Sequence, residues 1–269
     1  MLQYDFMRKA LIAGFFISII IPLIGTIVVN RKTSTIGDAL SHTTLGGIFF
    51  GLIIGVNPIL GGVLMSILAA FSIESLRNKF PKNGDMATAI VTSLGIGLAS
   101  ILSDYVPGSQ NFESFLFGSV IAINNVDILI ILLTTIVVVF IYYYLYYGLL
   151  YISVDKLGAR LAGVKNNFID YMFTFMLAIT IAISARIVGV LIVSSLMILP
   201  VATAMLIGKN YKMTVLFSIL FGVLYFISGL VAAYHLKLKP GGSIIVVAVI
   251  GLVLTMAIKS IYHKFMLKT

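Results

Sequence analysis

Asp38 and His42 stand four residues apart in the stretch Gly37-Asp38-Ala39-Leu40-Ser41-His42, inside an apolar run covering 36–55. An ionisable side chain within a membrane-spanning segment is costly enough that function is its default explanation. The i, i+4 spacing puts both on one helix face, about one turn apart. A carboxylate and an imidazole on a shared face can hold a divalent cation. Imidazole suits zinc, copper, iron and nickel, and carboxylate suits harder ions such as manganese. Two ligands make a weak site, which is what a pathway needs if it is to release its ion. Two copies meeting on a two-fold axis would bring two aspartates and two histidines together as four ligands.

The elements that must position this pair are membrane helices. Of 269 residues, 60% are hydrophobic and 10% charged, far below the roughly 25% charged content of a soluble domain. The fold class is therefore all-α: a polytopic helical bundle forming one transmembrane domain over 1–269. A span needs about 20 residues. Nine apolar runs qualify, at 10–30, 36–55, 58–76, 86–103, 127–150, 168–185, 187–207, 213–234 and 243–262. The join at Arg186 is so short that eight spans is the alternative. The formal charge of +9 sits in short loops between these runs, so it reads as positive-inside patterning rather than as a nucleic-acid surface. Arg31 with Lys32, then Arg77, Lys79 and Lys82, then Lys156, Arg160 and Lys165, then Lys209 with Lys212, and Lys264 with Lys268 all fall on one side. The loop 104–126 carries Asp104 and Glu113 and no basic residue. Alternation then sets the N-terminus outside and the C-terminus in the cytoplasm, with Lys237 and Lys239 against the trend.

Gly47, Gly51 and Gly55 repeat every four residues on the Asp38 helix and predict close helix packing in lipid. Pro22 and Pro200 fall inside apolar runs and predict kinks, whereas Pro58 suits a helix start. Tyr142, Tyr143, Tyr144, Tyr146 and Tyr147 read as an interface belt. The chain has no cysteine, which excludes disulfides and thiolate metal sites. It has no phosphate-binding Gly-x-x-x-x-Gly-Lys-Ser/Thr loop and no His-Glu-x-x-His motif. His235 and His263 lie in or beside loops. This inventory makes an enzyme hard to build and a transport path easy, and it implies no intrinsic cofactor.

A second functional segment lies in the loop 151–167. Asp155 to Gly163 forms a short amphipathic stretch, with Lys156, Arg160 and Lys165 for charge and Leu157, Leu161 and Val164 as an apolar stripe. Such a helix can seat in a partner's groove. A bulky residue at Ala159 or Gly163 is expected to disturb that seating.

The sequence also resembles the permeases of bacterial metal-ion ABC importers. The resemblance rests on RKTSTIGDALSHTTLGG (31–47), on Phe115-Leu116-Phe117-Gly118-Ser119, on DKLGARLAGV (155–164) and on VGVLIVSSLMILPVATA (188–204). These stretches occur in family order over most of the chain. One departure is Leu45-Gly46-Gly47, where the family often carries a proline. The resemblance implies a plasma-membrane importer built from a permease homodimer, two ATP-binding subunits and an extracellular metal-binding protein, often lipid-anchored. It implies that Asp38 and His42 meet the ion. Asp155, Ala159 and Gly163 would then lie in the loop that docks on the ATPase. The likeness is greatest to the zinc branch, which favours Zn2+ over Mn2+ as cargo. An ion-driven secondary transporter is the alternative from another class; it would usually show inverted repeats, and none is clear.

Overall fold

The structure is a computed structural model that describes residues 3–80, 83–106, 115–116, 118 and 123–266. Lys82, Glu113, Phe117, Ser119 and Lys268 lie outside the described residues, as do the side chains of Arg186, His263 and Lys264. Ten helices are described: α1 (Asp5–Asn30), α2 (Ile36–Ile54), α3 (Pro58–Lys79), α4 (Gly84–Ser103), α5 (Asn125–Val154), α6 (Lys156–Leu161), α7 (Asn166–Val188), α8 (Val190–Ile207), α9 (Tyr211–Leu236) and α10 (Pro240–Met266). No strand occurs among the described residues. Every helix but α6 is long and apolar enough to cross a membrane, nine in all. The short join at Arg186 proves to be an unbroken part of α7. The break falls at Gly189 (φ 101°, ψ 145°), which alone separates α7 from α8.

Helix ends extend beyond the apolar runs wherever polar residues can continue the backbone hydrogen bonding. α1 begins at Asp5, whose carboxylate takes Arg8 at 3.1 Å and Lys9 at 2.7 Å on the same face. α3 opens on Pro58, and the Asn57 side chain accepts from the Ile59 amide at 2.9 Å. α5 starts with a reciprocal cap, in which Asn124 Oδ1 accepts from the Asp127 amide and Asp127 accepts from the Asn124 amide. Such caps satisfy backbone donors that a helix start leaves open.

α1, α2 and α7 are the most buried spans, and α10 is the least buried. The core therefore sits around the first two helices and the seventh. α2 packs against α3 at Gly47 and Gly61, where a Cβ on either would run into the other's backbone. That is the close approach small residues permit in lipid. Gly55 takes no part in it. It caps α2 in the left-handed region (φ 77°), and a Cβ there would meet nothing within 4 Å.

Neither proline breaks its helix. α1 runs through Pro22 and α8 through Pro200. Pro22 has no N–H for the Ser18 carbonyl one turn back. Gly222 of α9 lies against that carbonyl and the proline ring: a Cβ there would come to 2.7 Å from Ser18 O and 2.6 Å from Pro22 Cγ. Neighbouring helices accommodate prolines of this kind in a membrane bundle.

Candidate functional site

Asp38 lies in the first turn of α2 rather than deep within it, and His42 lies one turn further in. A negative charge is favourable at that position because the helix N-terminus carries partial positive charge. Although α2 is mostly buried, Asp38 is exposed and His42 half-exposed. From Thr43 to Phe49 every residue is buried, so the pair is set apart from the exposed apolar residues Phe50, Ile53 and Ile54 at the far end of the helix. Among the described residues, neither side chain has a hydrogen bond or ion pair, and no third His, Asp or Glu stands close enough to complete a metal site. The described residues thus offer two donors on an open flank.

The backbone around the pair is fixed from two sides. Gly95 of α4 lies directly on α2: a Cβ there would come to 2.8 Å from the Thr43 amide nitrogen and 3.1 Å from the His42 carbonyl carbon. Gly37 packs on Met197 and Ser194 of α8, the helix singled out for its serines and proline. Phe115 stacks edge-on against Phe49 of α2, centroids 5.8 Å apart. Gly95 escapes notice in the sequence because it stands among Gly97 and other small residues with no charged group nearby.

At the α6 segment, the three expected residues play three separate roles. Asp155 caps the helix, its Oδ1 accepting from the Gly158 amide at 2.9 Å. Ala159 is wholly buried against the body of the protein. Gly163 sits at φ 81°, in a conformation that favours glycine, and turns the chain back toward α7. The outward surface is Leu157 and Leu161, 68% and 81% exposed. Val164 is half-buried and packs inward.

A cluster that local sequence gives no hint of joins α6 to the rest. Asp170 in α7 is buried, and its two carboxylate oxygens take different cations: Oδ1 holds Arg31 Nη1 at 2.8 Å and Oδ2 holds Lys156 Nζ at 2.8 Å. The Arg31 guanidinium also lies 4.5 Å over the Phe173 ring. Burial lowers the Arg31 pKa, and the charge and hydrogen bond of Asp170 raise it. Arg31, Lys32, Arg77 and Lys156 line one cavity of about 590 Å³ together with Glu74. Three of the basic loops assigned to one side of the membrane therefore meet at one end of the bundle.

The remaining candidates are simpler. His235 is exposed at the end of α9, against the Tyr234 ring. Tyr143, Tyr144 and Tyr147 are exposed as a belt would be, but Tyr142 is buried and shares a 3.1 Å hydrogen bond with Tyr211. Asp104 caps the end of α4.

Comparison with known proteins gives one consistent answer. The ABC 3 transport family matches residues 3–259. A Treponema pallidum protein named "Probable metal transport system membrane protein" is 36% identical over 261 residues, covering 97% of this chain and 98% of its own. The manganese transport system membrane protein MntC of Listeria monocytogenes is 29% identical over 250 residues, covering 93% and 89%. Among solved structures, PsaBC from Streptococcus pneumoniae in complex with Fab superposes with a TM-score of 0.85 at 26% identity, covering 94% of this chain and 91% of that one.

Proposed function

The chain belongs to the ABC 3 transport family, and we propose that it is the membrane permease of an ATP-driven importer that carries a divalent metal ion past Asp38 and His42. It is a multi-pass protein of the bacterial plasma membrane and a transport permease, not an enzyme. Membership in an ABC family is what favours ATP-driven over ion-driven transport. The working assembly would be two permease copies, two ATP-binding subunits and an extracellular metal-binding protein. The N-terminus would lie outside and the C-terminus in the cytoplasm, in keeping with the basic loops gathered at one end.

The observation that carries the proposal is the open Asp38–His42 pair, without a partner among the described residues, on a mostly buried helix. Four ligands, two from each copy, would make an adequate but releasable site for a divalent ion. In a covalently linked permease dimer mutated in one half only, shared ligation requires metal occupancy to fall; near-normal occupancy would count against it. The resemblance read from sequence favours zinc. The manganese system named for the Listeria relative raises manganese to an equal candidate, because Asp and His serve both ions.

The test is elemental analysis of cells lacking the gene, restored with wild type, Asp38→Ala or His42→Ala in metal-poor medium. Zinc, manganese and iron are read together. A fall in one metal that wild type restores and neither variant restores supports the reading and names the cargo. If no metal falls, or both variants restore uptake fully, the pair is not the path.

A further inference from the structure

We infer that Asp170 is a positioning residue that clasps the ATPase-docking helix α6 to the corner between α1 and α2, so that movement of α6 reaches the helix carrying Asp38 and His42. The inference rests on the reading of the chain as an ABC permease whose α6 seats in an ATP-binding subunit.

Three observations carry it. First, Asp170 divides its carboxylate between two elements, with Oδ1 on Arg31 and Oδ2 on Lys156, both at 2.8 Å. Arg31 is the residue that ends α1, just before α2 begins at Ile36. Lys156 is the first residue of α6. Second, the joint is tied on both arms by further contacts. Asn166 Nδ2, at the start of α7, donates to the Lys156 carbonyl at 2.8 Å. Arg31 is held over Phe173, one turn along α7 from Asp170. Third, α6 has an inner and an outer side. Ala159 is buried while Leu157 and Leu161 face outward, so a partner gripping the leucines would pull on a helix whose other side is ionically fixed to α7 and, through it, to α1.

The Arg31 arm resists separation, because Arg31 and Asp170 are both largely buried and parting them would leave charge uncompensated. The Lys156 arm is more exposed and is reinforced by the Asn166 hydrogen bond to the Lys156 carbonyl. The clasp therefore moves as a unit. Arg31 Nε and Nη2 are buried and make no hydrogen bond among the described residues, so the whole strong bonding of the guanidinium is directed at Asp170.

The experiment uses the full permease with the ATP-binding subunit that copurifies with it, reconstituted in vesicles. Zinc or manganese uptake and phosphate release are measured on the same sample. For Asp170→Asn the expectation is a fall of about tenfold in metal moved per ATP, within the usual range of coupling effects, with hydrolysis largely retained and recovery in Asp170→Glu. A wild-type ratio in Asp170→Asn overturns the clasp. If Asp170→Asn does not assemble, Lys156→Gln decides, because it cuts only the α6 arm: a reduced ratio supports the clasp and a wild-type ratio overturns it. The double variant Leu157→Glu/Leu161→Glu tests the underlying reading separately. If it still binds the ATP-binding subunit and transports normally, docking through α6 falls, whatever Asp170 does.

Discussion

Two carboxylates in this molecule sit in helices of similar polarity and are treated in opposite ways. Asp38 is exposed, has no partner among the described residues, and shares its helix face with an imidazole that also has none. Asp170 is buried and has both oxygens occupied by cations from other elements. A charge in an apolar segment must be compensated. Where the protein supplies the compensation, the group holds elements together. Where it supplies only the partial positive charge of a helix N-terminus, as at Asp38, an ion or another subunit would complete the compensation. Location in a membrane helix thus marks a charged residue as important, and its partners show in which way.

That contrast can be broken experimentally, beginning where the effect is largest. Asp38→Ala should reduce metal uptake by at least about 10–100-fold, since removing even an indirect support of a metal ligand has that effect. Thermal stability should change little, because the side chain holds nothing among the described residues. A large loss of stability would make Asp38 a structural residue like Asp170. Gly95→Val should push α4 off the backbone of His42 and Thr43 and destabilise the permease by about 1–3 kcal/mol. Its uptake should fall although both ligands remain, which thermal unfolding and uptake on one preparation would reveal. Ala159→Leu should unseat α6 from inside, at a similar 1–3 kcal/mol. Retained stability with lost ATPase binding would instead place Ala159 on the docking face. The smallest effect is expected from Asp155→Ala, which removes a helix cap contributing about 1 kcal/mol and should lower transport per ATP only modestly.

The spans were legible because a membrane helix needs only a long apolar run, and nine runs gave nine helices. Their ends were less so. Apolarity marks the part in lipid, while capping and ion pairs such as Asp5 with Arg8 and Lys9 decide where the helix stops. The Asp38–His42 spacing was readable because it is local. Asp170 was not, since its partner Arg31 is 139 positions away and nothing beside it signals a pairing. The glycine repeat on α2 pointed to the right helix but included Gly55, whose role is a turn. Ala159 shows a similar limit: the pattern of α6 gave its amphipathic character, and only packing showed that alanine was the seat and the leucines the exposed side.

The Ser18 carbonyl left without a donor by Pro22, and covered by Gly222, has a consequence for biosynthesis. α1 is made before α9, and the residue that closes over its gap lies 200 positions later (222 minus 22). At ordinary rates of translation of about 5–20 residues per second, that interval is on the order of 10–40 s. Throughout it the nascent chain holds a bare polar group in a helix destined for the core. α1 therefore enters the bilayer with this carbonyl uncovered, and the packing of α9 against it comes late in synthesis.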